Sequence, residues 1–163
     1  MEEPGDPIPG QESPRPASIV VQRRIEWPDT DASGMYHNTA AFRFIEVAET
    51  ALLERLGLLE DVYGRLPRVH IEANFRRPLR FRDVIDISLR IAALGRSSAT
   101  YEFEMRADGE VAVDGRVVTV LLSGPRGEPL PWPEEYRRLL LTAGEQAPER
   151  LTTDGSASPP DRS

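Results

Sequence analysis

The segment DTDASGMYHN, residues 29–38, gathers two carboxylates, a serine, a glycine, a tyrosine, a histidine and an asparagine. It is the densest polar cluster away from the chain ends. A carboxylate here can activate water or attack a carbonyl directly. Gly34 offers a backbone amide, and the positive end of a following helix favours a developing oxyanion. These are the parts that acyl transfer requires. Each residue also has a plainer use. Asp before a helix commonly makes a turn, and Asn38 suits a helix cap.

Such a loop needs rigid elements on both sides. SIVVQRRIE, residues 18–26, is β-branched and then alternating, which predicts a strand. Residues 39–56 predict a helix, because Phe42, Ile45, Ala48, Leu52 and Leu56 recur at spacings of three and four. Asn38 or Thr39 can accept a bond from its first free amides, and Gly57 sits where a C-cap glycine belongs. A short second helical stretch is expected near 58–64.

From Pro67 the period changes to two. Val69, Ile71, Ala73 and Phe75 alternate with His70, Glu72 and Asn74. VIDISLRIAAL, SATYEFEMRA and VAVDGRVVTVLLS continue that pattern, punctuated by Gly95, Asp108-Gly109 and Asp114-Gly115. WPEEYRRLLL, residues 132–141, predicts a short helix near the end. One strand, one long helix and four antiparallel strands define an α+β class, a curved sheet of about five strands around a central helix. An open edge in such a sheet is resolved by pairing with a second copy.

Composition narrows the function classes. Residues 1–17 carry five prolines and few large apolar side chains, and residues 144–163 carry three more among Ser, Thr, Gly and Asp. Both are expected to be disordered tails around a domain at 18–143, since neither offers enough apolar surface to offset the entropy of ordering. The tails also hold most of the net charge of −7. The near-neutral remainder has no basic stripe and gives no support for nucleic-acid binding. There is no cysteine, which excludes disulfides, thiolate metal sites and a Cys nucleophile. Two histidines, at 37 and 70, do not make a metal constellation. All 20 basic residues are arginine. No secretory signal and no apolar run of membrane-spanning length occurs, so the expected location is cytoplasmic.

The segment EWPDTDASGMYHNTAAFRFIEVAE resembles the signature of the 4-hydroxybenzoyl-CoA thioesterase-like branch of the hotdog superfamily. In that family an Asp-x-Asp-x-x-Gly loop runs into the central helix. PRVHIEANFRRPLRFRDVIDISLRIAALGRSSATYEF resembles the family's following strands, with an rPl.f.D turn and a G.sS hairpin. The likeness covers about residues 19–142. It implies a hotdog fold, a homodimer with a homotetramer as the larger alternative, and an acyl-CoA or acyl-carrier-protein thioester as substrate. It implies no cofactor.

Residue by residue, the family's catalytic Asp falls on Asp31, its first loop acid on Asp29 and its glycine on Gly34. His37 is carried over as a catalytic candidate, with Tyr36 and Asn38 as substrate contacts. Met35 stands where the family often has His. Among Arg76, Arg77, Arg80, Arg82 and Arg96, Arg96 lies in the hairpin where some members hold the CoA nucleotide. Another hotdog branch uses a helix carboxylate. Glu46 and Glu49 lie one turn apart here, and their plainer reading is as solvated helix acids. His70 reads as a strand-face residue. A non-catalytic acyl-binding module remains open as an alternative. A hotdog dehydratase or hydratase fits less well, since neither YxxxNPxHxD nor HFPxxPxxPG occurs.

Overall fold

The computed structural model describes residues 13–152. The chain forms β1 (Arg15–Arg24), a 3-10 turn (Trp27–Asp29), α1 (Ala40–Arg55), α2 (Leu59–Val62), β2 (Arg68–Phe75), β3 (Val84–Leu94), β4 (Ser98–Ala107), β5 (Glu110–Val120), α3 (Glu134–Thr142) and β6 (Ala143–Glu145). The class is α+β. The strands make one six-stranded sheet in the order β2-β5-β4-β3-β1-β6. All neighbours are antiparallel except β1 and β6, which run parallel.

The sixth strand comes from a segment expected to be tail. The outermost residues of both expected tails, 1–12 and 153–163, lie outside the described residues. Their inner ends belong to the fold. β1 starts at Arg15, and Ala17 is fully buried. After β6, the chain keeps tracking β1. The Glu149 amide donates to the Val20 carbonyl at 3.0 Å, the Gln22 amide donates to the Glu149 carbonyl at 2.7 Å, and Arg23 pairs with the Glu149 carboxylate. Backbone pairing therefore orders a stretch whose side chains bury little. Composition alone missed it. Among the described residues no helix is long and apolar enough to cross a membrane.

α1 is 16 residues long and packs across β1 and β3. Its buried face runs through Ala41, Phe44, Ile45, Ala48 and Leu52, an i, i+3, i+4, i+7, i+11 series. Phe42, expected in the core, lies about 100° around the helix from Ala41 and is 39% exposed. Thr39 is the N-cap, and neither it nor Asn38 caps the helix with its side chain. The sheet face toward α1 supplies Ile19, Val21, Ile85, Ile87, Tyr101 and Met105 to the core, all fully buried.

β2 forms where the alternation predicts a strand. Its alternation is real, but the strand lies at the sheet edge and both of its faces are largely exposed. Asp114-Gly115 is not a turn. Gly115 sits inside β5, facing Ala73 of β2 and Phe103 of β4. A Cβ there would lie 1.9 Å from the Glu72 carbonyl oxygen and 2.9 Å from the Phe103 ring. Backbone cannot yield as a flexible side chain does. Gly115→Ala should therefore cost about 1–3 kcal/mol, the usual overpacking range, read as a lower urea midpoint. An unchanged midpoint would show that β2 shifts freely on β5.

Candidate active site

Residues 30–36 close into a tight hairpin. Thr30 and Tyr36 form an antiparallel bridge. The Asp31 amide donates to the Met35 carbonyl at 2.9 Å, and the Gly34 amide donates to the Asp31 carbonyl at 3.0 Å. Gly34 has φ +78°, in the left-handed region that glycine adopts without strain. Asp29 staples the base of the hairpin. It is 3% exposed, accepts the Glu26 amide at 2.8 Å and pairs with Arg43 of α1. Its carbonyl accepts the His37 amide at 2.6 Å, and the Tyr36 amide donates to Leu79 at 2.9 Å. The loop is thus fixed to α1 on one side and to the β2–β3 connection on the other. Sequence reasoning gave Asp29 a place in the motif but no such role. The Glu26-x-x-Asp29 spacing, with an arginine on the next helix, was the available signal.

Asp31 sits on this hairpin with its carboxylate in solvent. Its Oδ1 accepts the Ser33 hydroxyl at 2.5 Å and the Ser33 amide at 2.8 Å. The hydroxyl bond first, and the amide bond after it, hold the Asp31 carboxyl below the ordinary aspartate range, and the charge of His37 acts in the same direction. The group is therefore ionised at neutral pH. Both bonds fall on Oδ1, which leaves Oδ2 open to a water or a carbonyl carbon.

The Gly34 amide is already used in closing the hairpin, so it does not supply the oxyanion donor expected of it. The amides of Ala40, Ala41 and Phe42 are likewise taken, by the carbonyls of His37, Asn38 and Thr39. The amides of Asn38 and Thr39 carry no hydrogen bond among the described residues. They lie at the start of α1, where the helix dipole is positive.

The other predicted residues are partly brought together. His37 is exposed and lies close enough to act on the Asp31 charge. Tyr36 is 6% exposed, and its hydroxyl is buried without a partner among the described residues. Burial pushes that hydroxyl up to about 12. Its ring packs on Phe75 at 6.4 Å. Arg96 is not brought to the loop. It follows β3 at the end away from Val84, and a strand of 11 residues spans about 35 Å. Arg76 and Arg77 are paired with Asp114 and Glu110. Arg80 and Arg82 have no ion pair among the described residues. His70 is exposed, 4.0 Å from Glu72.

Glu46 is solvated, but Glu49 is not. Glu49 is 5% exposed and accepts Arg68 Nη2 at 2.7 Å, while Arg68 Nη1 reaches Glu46 at 3.3 Å. Burial raises the Glu49 carboxyl above its ordinary range against the pull of Arg68. Position 49 falls between the buried positions 45 and 52, which is the signal that a solvated reading overlooked.

A mostly antiparallel sheet on a helix, with a carboxylate hairpin at the helix N-terminus, defines a hotdog-type thioesterase architecture. The chain belongs to the thioesterase-like superfamily, whose model matches residues 25–140. Among curated proteins it is similar to a 1,4-dihydroxy-2-naphthoyl-CoA hydrolase of Prochlorococcus marinus (strain MIT 9303). The two are 26% identical over 138 residues, covering 77% of this chain and 91% of that one. Among solved structures it resembles a thioesterase from Thermus thermophilus complexed with coenzyme A and Zn. That match has TM-score 0.65 and 30% identity, over 73% of this chain and 90% of the other. It also shares the fold of a 1,4-dihydroxy-2-naphthoyl-CoA thioesterase from Synechocystis, with TM-score 0.69 and 18% identity over 76% and 95% of the two chains.

Proposed function

We propose that this protein hydrolyses an acyl-CoA thioester, with Asp31 as the reacting carboxylate. The observation that carries this reading is the Asp31 hairpin. It holds an ionised carboxylate with one free oxygen in the loop that runs into α1, where the amides of Asn38 and Thr39 carry no hydrogen bond among the described residues. Those amides would bind the oxyanion as the carbonyl becomes tetrahedral. Asp31 would either take a proton from the attacking water or add to the carbonyl itself, giving an anhydride that water then opens. In both routes the C–S bond breaks, the thiolate leaves and takes up a proton, and the acid is released. His37 and Tyr36 border this point. No cofactor takes part.

The site is completed by a second copy. Arg15–Arg24 is covered along its outer side by the chain from Ala143 to Glu149, so β2 is the open edge of the sheet. Val69, Ile71 and Phe75 on that edge are 60%, 37% and 42% exposed. A two-fold dimer pairs β2 with its own copy antiparallel, and residues that face each other share a face of the sheet. The two sets of Ile71, Ala73 and Phe75 then make one apolar shelf between the Asp31 hairpins.

The test is free-thiol release from a panel of aryl and alkyl acyl-CoAs. Turnover of one class well above the uncatalysed rate is expected, with aryl-CoAs favoured by the similarity to dihydroxynaphthoyl-CoA hydrolases. Tight binding of acyl-CoA with no turnover of any member would overturn the enzyme reading in favour of a binding module.

A further inference from the structure

The bonds around Asp31 set its oxygens apart from each other. In a tight turn an aspartate commonly accepts the backbone amide of the residue after next, and any residue but proline can supply it. Here the Ser33 amide does so, at 2.8 Å. The Ser33 hydroxyl then adds a second bond to the same oxygen, Oδ1, at 2.5 Å. That hydroxyl is itself held, because its oxygen accepts the Met35 amide at 3.4 Å. Its proton is thereby directed to Asp31. Oδ2 takes no hydrogen bond among the described residues.

The packing of the hairpin does not call for a hydroxyl. Ser33 is exposed. The Thr30–Tyr36 bridge and the Asp31 amide close the loop, and Asp29 anchors it. Alanine at position 33 would leave each of these contacts in place. What the hydroxyl contributes therefore falls chiefly on Asp31.

Its effect on reactivity runs in opposite directions. Each donor stabilises the anion, and a less basic carboxylate is a weaker base and a weaker nucleophile. Rates follow basicity only in part, so a tenfold loss of basicity costs less than about tenfold in rate. Against this stands orientation. An exposed aspartate held by one donor swings about its side-chain bonds, whereas a second donor on Oδ1 fixes the carboxylate plane and the direction of Oδ2. Misplacing a reacting group by about 1 Å can cost on the order of 10²-fold. Orientation outweighs the lost basicity.

We propose that Ser33 is a positioning residue, whose hydroxyl holds Oδ1 of Asp31 so that Oδ2 is the oxygen that meets the attacking water or the thioester carbon. This rests on the reading of Asp31 as the reacting carboxylate, and it goes further by giving a role to a side chain outside the loop's acids and glycine. The Ser33 hydroxyl acts through Asp31 and not on the acyl group, so it bears on kcat and not on KM. In either route no covalent bond to Ser33 forms or breaks.

The test compares Ser33→Ala, Ser33→Thr, Asp31→Asn and wild type on an acyl-CoA that the wild type turns over. Ser33→Ala should lower kcat about tenfold, with KM and the urea midpoint unchanged. Ser33→Thr restores a hydroxyl and should recover most of the loss. Titration of the Asp31 carboxyl by carbon-13 NMR reads the same bond without turnover. The Ser33 hydroxyl is the largest pull on that carboxyl, so its removal should move the titration up toward the ordinary aspartate value. The surrounding charges stay in place in Ser33→Ala. His37 acts on Asp31 from the same hairpin, Arg43 is bound to Asp29 at its base, and Arg80 approaches through its bridge to Met35.

An unchanged or raised kcat in Ser33→Ala, with Asp31→Asn disabled, would overturn the proposal and leave the reading of Asp31 standing. The bond would then only weaken the carboxylate. A loss as deep as that of Asp31→Asn would make the hydroxyl a reacting group, and equal losses in the Ala and Thr variants would assign the effect to the turn. Either result overturns the positioning role. Full activity in Asp31→Asn, or a wild type that turns over no thioester, would instead remove the reading of Asp31, and the role of Ser33 with it.

Discussion

Asp31→Asn should lower thioester turnover by about 10³-fold, within the range that a positioned base or nucleophile supplies, with the fold unchanged. Asn is nearly isosteric, and its side-chain oxygen can still accept the Ser33 amide and hydroxyl that anchor Asp31. The hairpin itself is closed by backbone bonds and by Asp29, so it does not depend on the Asp31 carboxylate. A loss in kcat with an unchanged urea midpoint would assign chemistry to this group. Full activity in the Asn variant would remove Asp31 from the reaction and leave Glu49 as the carboxylate to examine.

The pH dependence adds a check on the same residue. The reacting form is the anion, and the Ser33 bonds hold the carboxyl below its ordinary value. Activity should therefore persist down through the usual aspartate range and fall only as pH drops through the lowered pKa. An acid limb near neutrality would place the titration on a group other than Asp31.

The parts legible in the sequence were those governed by local pattern. The period-two runs become β3, β4 and β5, and the three-and-four spacing becomes α1, because burial on one face dictates those periods. The Asp31 loop was legible as a cluster and as a family signature. What escaped was set by partners distant in sequence. β6 exists because its backbone finds β1, more than a hundred residues away. Gly34 was read as an oxyanion donor, but the hairpin uses its amide, a fact that depends on how the loop closes. Glu49 was read as solvated because its partner, Arg68, lies on another element. Arg96 entered the site by analogy with a motif, and within one chain the length of β3 keeps it away. In a dimer that reverses the strand direction of the second copy, that distance need not apply between copies.

Adding charge to the β2 edge should also be strongly damaging. Ile71 lies beside the midpoint of β2 and is 37% exposed in the single chain. In a two-fold pairing, its two copies come close together on one face of the sheet. Ile71→Lys places two positive charges there, where like charges across strands repel, and takes apolar surface out of the shared shelf. Within one chain the change is mild, since the side chain is partly solvated and the core residues of α1, β3 and β4 are untouched. The expected result is a folded monomer by light scattering, with a lower urea midpoint only as far as the lost subunit contact contributes. Turnover should fall by about 10²-fold or more, because a carboxylate without its facing surface neither positions the acyl group nor excludes water. A monomer that retains full activity would show that one chain holds a complete site. A dimer that survives the change would move the interface to another surface.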